Sequence, residues 1–312
     1  MSDRSENPGK SHSILAVAAI VCACLLWGTT GTAASFINDV SSLAIGAFAM
    51  GVSGLLMGLR HFSSLFKQRR KLRQCGWLIV LGGFSVVIYP LAFYRSMSLA
   101  GVAVGTVISI ACAPFFSVLL EVLIDGKKVS QQWWLSFFIG CIGMVVLTLS
   151  KQSLPQQSSD QEYMWGIVLG LIAAFSYASY SWSAKSMIER GVSSGSAMAV
   201  MFLFASLWLL PGLLLSNVEL FSSPINTAAL LYLALIPMFV GYLAFAYGLA
   251  VVSASQATLI TLLEPVIAAV LAVVIVGEQF LWTGWAGMAL IIAGLLLPLI
   301  NIGKAVPHQS VV

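Results

Sequence analysis

Charged side chains are scarce in this sequence. Only 8% of its 312 residues are Asp, Glu, Lys or Arg, whereas 59% are hydrophobic. An ordinary soluble domain carries about 25% charged residues, so too few are present here to cover a water-facing surface. The composition therefore excludes an ordinary soluble globular protein and predicts a membrane protein.

Side chains suited to catalysis or metal binding are also scarce. The three histidines, His12, His61 and His308, all lie in a tail or a loop outside the apolar runs. Neither a catalytic triad nor a histidine metal site can then form within the membrane. The sequence also lacks G-x-x-x-x-G-K-[ST], the phosphate-binding loop that nucleotide-driven transport would need. We predict no catalytic residue, no metal, no cofactor and no enzymatic activity.

The cysteines show no pattern of a disulfide framework or a metal site. They are odd in number and have no metal-ligand spacing. Most of them stand in apolar segments, which predicts reduced and packed thiols. The five are Cys22, Cys24, Cys75, Cys112 and Cys141.

Long apolar runs dominate the sequence instead. About 20 apolar residues are enough for a helix to cross the hydrocarbon core of a bilayer. The runs predict an all-α integral membrane protein with ten transmembrane helices. They cover residues 14–35, 41–59, 76–98, 101–124, 132–150, 164–184, 196–216, 227–249, 252–276 and 280–302.

Lysine and arginine are distributed unevenly between the connections. Cytoplasmic loops of membrane proteins carry an excess of both. A cytoplasmic N-terminus places all 15 basic residues on that side except Arg95 and Lys151. We predict that both termini are cytoplasmic and that the lipid bilayer of the cell inner (plasma) membrane surrounds the chain. The basic stretch 60–74 is then a cytoplasmic loop, and no nucleic-acid partner is expected.

The two halves of the chain resemble each other. A shift of 151 residues aligns Pro114 with Pro265 and Trp134 with Trp285. Five spans per half is an odd number, so the second half must enter the membrane from the opposite side, which predicts two inverted five-helix repeats. The predicted boundaries are a disordered cytoplasmic tail at 1–13, the first repeat at 14–150, a periplasmic linker at 151–163, the second repeat at 164–302 and a cytoplasmic tail at 303–312.

Two stretches carry a resemblance to a known family. They are LLWGTTGTAASF in the first span and EPVIAAVLAVVIVGEQFLWTGWAGMALIIAGLLL at the end of the second half. Together with the two repeats, they resemble the EamA-type transporters of the drug/metabolite transporter superfamily over residues 14–302. The resemblance implies an inner-membrane carrier with a central cavity, which in many members exports amino acids or related small metabolites.

The residues that match the family motifs are few. They are Trp27, Gly28, Glu264, Pro265, Gly277 and Glu278. The first half departs from the family pattern, because Lys127 rather than a glutamate follows Gly126. An ion-pair role for a glutamate at that end of the first half is therefore in doubt.

Pro114 and Pro265 interrupt two of the predicted spans. A proline removes a backbone donor and clashes with the preceding turn, so both are expected to kink their helices near the bilayer midplane. Ser109 and Thr261 lie about a turn upstream, where their hydroxyls could bond freed carbonyls or face a wet cavity. Because the prolines are repeat-related, the two kinks are expected to face each other with a substrate between them.

Glu264 is the only acid close to the centre of a predicted span, where a charge costs about 2.5–3.5 kcal/mol on insertion scales. It either faces a cavity, where it exchanges a proton or pairs with a substrate amine, or bonds backbone donors as a structural part of the helix break. Arg95 either extends to the outer headgroups or binds a substrate carboxylate. The two functional interpretations together suit a zwitterion.

Aromatic and hydroxyl side chains complete the predicted site. Rings can line a pocket for apolar or cationic groups, although core packing is the more common role of any single ring. Thr30 adds a small polar face beside Trp27. The predicted substrate-binding residues are Trp27, Thr30, Tyr89, Phe93, Arg95, Ser109, Tyr177, Tyr180, Tyr242, Phe245, Thr261 and Glu264, with helix breaks at Pro114 and Pro265.

These features predict a secondary active transporter of a small-molecule substrate, working by alternating access. Proton coupling through Glu264 is one expectation, and outward movement of an amino acid or a similar metabolite is another. Two alternatives fit the same residues. One is a non-transporting membrane receptor or assembly protein, and the other is a facilitative channel for small metabolites.

Overall fold

The structure is a computed structural model that describes residues 8–150, 159–216, 218–276 and 281–301. Within these ranges the chain is helical, with connections but no strands. The tail at residues 303–312 and the motif residues Gly277 and Glu278 lie outside the described residues. All five cysteines are free thiols, and Cys22 is exposed rather than packed.

The helices are numbered α1 to α16 in chain order, and two short π-helical segments join them. The bounds are α1 Pro8–Gly28, α2 Thr30–Ala34, α3 Ser42–Arg60, α4 Phe62–Lys67, α5 Arg69–Gln74, α6 Gly76–Ala100, α7 Val102–Ala111, α8 Ala113–Leu123, α9 Gln131–Leu149, α10 Asp160–Glu189, α11 Ser194–Leu214, α12 Pro224–Leu233, a π segment Ala234–Val240, α13 Gly241–Leu249, α14 Ala254–Ile260, α15 Leu263–Leu271, a π segment Ala272–Val276 and α16 Trp282–Asn301.

Nine helical stretches in the described residues are long and apolar enough to cross a membrane. Several contain a break, such as the stretch Val104–Leu123, which joins α7 to α8. The sequence predicts a tenth span at 280–302. There the described apolar stretch, Trp282–Leu297, is shorter than the other nine. The described residues therefore show nine of the ten predicted spans, and α16, Trp282–Asn301, lies where the tenth is predicted.

Two helices begin earlier than the predicted domain boundaries. Helix α1 begins at Pro8, inside the predicted tail, since proline suits the first turn of a helix. Helix α10 begins at Asp160, inside the predicted linker, because Ser159 and Glu162 form a capping box. In each case the helix continues through polar residues beyond the apolar run from which the boundary was predicted.

The helix breaks lie just before the two predicted prolines. Cys112 separates α7 from α8, whose first turn contains Pro114. Residues 261–262 separate α14 from α15, whose third residue is Pro265. A proline lacks the amide hydrogen that helix continuation would require, so each begins a new helix after the break. Pro90 and Pro237 also lie inside helical segments.

Small residues allow the closest approach of helices. Gly54 of α3 faces the carbonyl group of Phe202 and the hydroxyl of Ser206 on α11, so a Cβ there would overlap both. Ser206 Oγ also donates a hydrogen bond to the Gly51 carbonyl at 2.7 Å. A G-x-x-x-G pattern at Gly54 and Gly58 favours this kind of contact.

We predict that Gly54→Ala lowers the free energy of unfolding by about 1–3 kcal/mol, because the added methyl group forces α3 and α11 apart. Gly212→Ala is the matched control, since a Cβ at this position of α11 meets no atom within 4 Å. It should leave stability unchanged or raise it by up to about 1 kcal/mol. Unfolding of both purified variants in the same detergent measures the difference, and equal stability would contradict the close packing.

Candidate functional site

A central cavity lies between helices from both halves of the chain. About 770 Å³ of space unoccupied by protein atoms, with adjoining open solvent included, lies among its lining residues. Its wall combines aromatic rings, small apolar side chains and one carboxylate. The lining residues are Trp27, Thr30, Ala34, Ile45, Gly46, Ala49, Met50, Tyr89, Pro90, Phe93, Tyr94, Tyr177, Tyr180, Leu233, Met238, Tyr242 and Glu264.

The cavity extends to the end of the bundle where α2 ends and α3 begins. Ala34, the last residue of α2, and Ile45, in the first turn of α3, both line the cavity. The opposite end of the bundle carries the stretch 60–74, rich in lysine and arginine, and we call it the basic end. The cavity therefore lies toward the end of the bundle away from the basic end.

Hydrogen bonds between neighbouring helices hold the aromatic wall in place. Trp27 Nε1 donates to the carbonyl of Pro237 at 2.9 Å, so the π segment and α1 fix the indole. The hydroxyls of Tyr180 and Tyr242 are bonded to each other at 3.0 Å. Tyr177 donates to Thr261 Oγ1 at 3.0 Å. The rings are thus oriented before any ligand arrives.

The rings of this wall contact one another as well. The centroid of Tyr89 lies 5.6 Å from that of Tyr177, which lies 5.2 Å from that of Tyr180. Trp27 lies 4.8 Å from Tyr242. These distances are typical of tilted and edge-to-face aromatic pairs, which add to apolar burial. The result is a continuous aromatic surface contributed by α1, α6, α10 and α13.

Glu264 supplies the negative charge of the cavity. It is the second residue of α15, and its amide donates to the Thr261 carbonyl at 3.0 Å across the break. Within the described part of the chain, its carboxylate accepts no hydrogen bond, and no lysine, arginine or histidine nitrogen lies within 4.0 Å of it. The positive end of the α15 dipole offsets part of the cost of this charge. The carboxylate is left facing the cavity.

Four of the predicted substrate-binding residues do not line the cavity. Phe245 and Thr261 are fully buried behind it, where Phe245 contacts Trp27 and Thr261 bonds Tyr177. Ser109 is buried away from the cavity, and its hydroxyl has no partner in the described part of the chain. Arg95 is exposed at the other side of α6. Their placement gives no direct contact with a ligand in this conformation.

The cavity does not lie between the two proline breaks, which corrects the expectation drawn from the repeat. Neither Pro114 nor Pro265 lines it, and α7 and α8 contribute no wall. Helix α8 packs against α10 and α14 instead, so α10 stands between the first break and the cavity. Only the second break reaches the cavity, through Glu264.

Sequence reasoning missed the part of the wall that α3 supplies. Gly46, Ala49 and Met50 carry no distinctive chemistry, and only their helical spacing places them on one face. Gly46 admits the ring of Tyr94, because a Cβ there would lie 2.5 Å from Tyr94 Cε2. This face of α3 could have been found from the small residues at that spacing.

Two buried charges close the bundle at the basic end. Glu121 of α8 is only 3% exposed and accepts hydrogen bonds from the amides of Ala254 and Ser255 at 2.9 and 3.3 Å, and from the Ser255 hydroxyl. Lys185 of α10 is 8% exposed and donates to the carbonyl of Leu249 at 3.0 Å. A carboxylate thus meets the beginning of α14 and an ammonium meets the end of α13, which suits both helix dipoles.

Exposed polar contacts surround these two charges. Lys127 lies 3.0 Å from Glu189 and 3.4 Å from Asp125, and Trp182 Nε1 donates to Asp125 at 2.9 Å. Burial lowers the pKa of Lys127, but its hydrogen bond to Glu189 and the nearby acidic charges raise this pKa more. The net result is a pKa above the ordinary value of a lysine. The connections between helices are therefore joined to one another at the basic end.

A bundle of apolar spans around a central cavity that contains one carboxylate defines a multi-pass membrane protein of the transporter class. The comparisons with known proteins identify its family. The EamA-like transporter family model matches residues 14–149 and 164–300, and the chain belongs to this family. The first half and the second half each match the model.

Relatives of similar length support this assignment. The uncharacterized transporter YwfM of Bacillus subtilis is 30% identical, over 89% of this chain and 91% of the relative. A protein of Streptantibioticus cattleyicolor named as a probable terminal-alkyne amino-acid exporter is 25% identical, over 87% of this chain and 92% of its own. A solved crystal structure has the same fold, with a TM-score of 0.77 and 18% identity over 93% of this chain and 99% of the other.

We predict that Glu121→Ala lowers the free energy of unfolding by about 2–4 kcal/mol, because two buried amides and a hydroxyl lose their acceptor. Glu189→Ala is the control, since it removes an exposed ion pair that is worth about 0–1 kcal/mol. Chemical unfolding of the purified variants in detergent compares the two. A loss for Glu121→Ala no larger than that for Glu189→Ala would show that the buried contacts contribute little.

Proposed function

We propose that this protein is a secondary active transporter of the cell inner membrane that exports a small metabolite by alternating access. The observation that carries the proposal is the unpartnered carboxylate of Glu264 facing a central cavity. An uncompensated charge is costly at membrane depth, and a substrate or proton route is the usual reason for keeping one there. The cavity lies toward one end of the bundle, which is consistent with one of the two states that alternating access requires.

The proposed architecture is ten spans in two inverted five-helix repeats. The double match of the family model, at residues 14–149 and 164–300, supports the duplication. The breaks before Pro114 and Pro265 occupy corresponding places in the two halves, which supports it further. An odd number of spans in each half would then invert the second half relative to the first.

The distribution of positive charge gives the proposed orientation. The basic end should be cytoplasmic, because lysine and arginine favour that side. The conformation described here is then outward-facing, with Glu121 and Lys185 closing the cytoplasmic end. Opening toward the cytoplasm would require the bonds of these two residues to α13 and α14 to break.

Proton coupling follows from the surroundings of Glu264. The titratable side chains that interact electrostatically with it are the thiol of Cys24 and the phenols of Tyr89, Tyr94, Tyr177 and Tyr242. Thiols and phenols hold their protons at neutral pH. Among the described cavity residues, Glu264 is therefore the group suited to take up and release a proton during the cycle.

The substrate class follows from the size and chemistry of the cavity. We expect an amino acid or a related small metabolite that carries an amino group, since such a group can pair with Glu264. The name of the Streptantibioticus cattleyicolor relative, a probable amino-acid exporter, supports this class of substrate. Outward export would load the substrate from the basic end and release it at the opposite end.

We predict that Glu264→Gln reduces pH-gradient-driven uptake into proteoliposomes to the level of protein-free liposomes, because an amide cannot exchange the coupling proton. Uptake is measured with radiolabelled amino acids and monoamines. Glu219→Gln is the control, since Glu219 is an exposed acid outside the helices, between α11 and α12. The control should keep wild-type uptake.

Two outcomes would contradict the proposal. Absence of flux under any gradient, with the protein folded, would indicate a receptor or an assembly protein. Flux without acceleration by unlabelled substrate on the opposite side would indicate a channel. If the pH dependence of uptake is unchanged in Glu264→Gln, the protein is still a carrier, but the role of Glu264 is structural.

A further inference from the structure

We infer that the cavity recognises a cationic amine and disfavours a carboxylate, so that monoamines and other organic cations bind ahead of zwitterionic amino acids. This inference rests on the proposed transport function and narrows its substrate class. Two features of the cavity carry it: its single negative charge and its aromatic surface.

The cavity carries a negative charge and no positive one. Glu264 is the sole charged side chain among the described lining residues, which include no lysine, arginine or histidine. Lys185 lies at the basic end and donates to the carbonyl of Leu249. Arg95 is exposed and does not contribute to the wall. A substrate carboxylate would therefore meet repulsion from Glu264 without a compensating cation.

The aromatic rings reinforce the preference for a cation. Trp27, Tyr89, Tyr177, Tyr180 and Tyr242 line the same cavity as the Glu264 carboxylate. The face of an aromatic ring carries partial negative charge and attracts an ammonium group within about 6 Å of its centroid. The rings and the carboxylate therefore line one cavity, and both favour positive charge.

Several donors of the cavity wall are already engaged within the protein. Tyr177 donates its hydrogen to Thr261, and the hydroxyls of Tyr180 and Tyr242 are bonded to each other. The indole N–H of Trp27 is donated to the Pro237 carbonyl. Neutral donors remain in the hydroxyls of Tyr89 and Tyr94, which line the cavity, but a neutral hydroxyl does not cancel the charge of Glu264. An ammonium group needs acceptors instead, and the Glu264 carboxylate has its oxygens free.

The sequence-based hypothesis of a zwitterion site paired Glu264 with Arg95. The structure separates the two, because Tyr94 rather than Arg95 points from α6 into the cavity. Successive residues of a helix lie about 100° apart around its axis, so Tyr94 and Arg95 cannot share one face. In this conformation, no described residue of the cavity can form the ion pair with a substrate carboxylate that the zwitterion hypothesis assigned to Arg95.

Three ligands with the same phenylethyl skeleton test the inference: phenethylamine, phenylalanine and 3-phenylpropionate. They carry an ammonium group alone, both charges and a carboxylate alone. Isothermal titration of the purified full-length protein in detergent at neutral pH measures their affinities. We expect phenethylamine to bind at least about tenfold more tightly than phenylalanine, a difference of about 1.4 kcal/mol, and 3-phenylpropionate to show no binding.

Variants of the acid separate charge from shape. Glu264→Gln should weaken phenethylamine binding by at least about tenfold, whereas Glu264→Asp, which keeps the charge, should retain the order of the three ligands. Glu219→Gln removes an exposed acid outside the cavity and should bind like the wild type. Thermal unfolding without ligand shows whether each variant is folded. The titration of the three ligands with the wild-type protein does not depend on the variants.

The outcomes distinguish this inference from the proposed function. Phenylalanine or 3-phenylpropionate binding as tightly as phenethylamine would overturn the inference, even if proteoliposomes transport amino acids. The same holds if phenethylamine fails to bind at millimolar concentration. Tight amine binding that Glu264→Gln removes, without flux of any ligand, would support the inference and contradict the transporter proposal.

Discussion

Where a chain leaves helical geometry inside a bilayer, no water is present to bond its freed backbone groups. Other groups of the protein must then supply those hydrogen bonds. The break between α14 and α15 meets this constraint with its own hydroxyl groups. Thr261 Oγ1 donates to the Thr258 carbonyl at 2.8 Å and accepts from Tyr177 at 3.0 Å. The same bonds hold the Tyr177 ring in the cavity wall and start α15 so that Glu264 faces the cavity. The aromatic wall, the charge and the proposed coupling all depend on this break.

The membrane spans could be predicted from the sequence because the cost of placing a residue in lipid depends mostly on the residue itself. The ends of the helices could not be predicted in this way. Capping by Ser159 and Glu162 continues α10 into polar sequence, and Pro8 begins α1 in a stretch without apolar character. Hydropathy does not register either effect. The breaks before Pro114 and Pro265 were predictable, since proline acts through local geometry.

The candidate site was only partly predictable. Its acid and most of its rings stand out in the sequence, because an ionisable or aromatic residue inside an apolar span is unusual. Its apolar wall on α3 does not stand out, and the exclusion of Arg95 depends on the rotation of α6 about its axis. Glu121 was missed because its partners, Ala254 and Ser255, lie more than 130 residues away in the chain. Pairing at that separation is decided by tertiary packing, which no local pattern records.

Both halves of the chain contain a helix break, but only the second half has a charged residue at it. With Pro114 aligned to Pro265, the counterpart of Glu264 is Ala113, which is completely buried in the core. A second carboxylate there would be buried among apolar side chains with no opposite charge to offset it, a cost that alanine avoids. The duplicated fold thus supplies two breaks, and one residue difference gives charge to only one of them. A single unpartnered carboxylate in an aromatic cavity attracts one positive charge, either a proton or an ammonium group, and the proposed proton-coupled transport rests on competition between the two at Glu264.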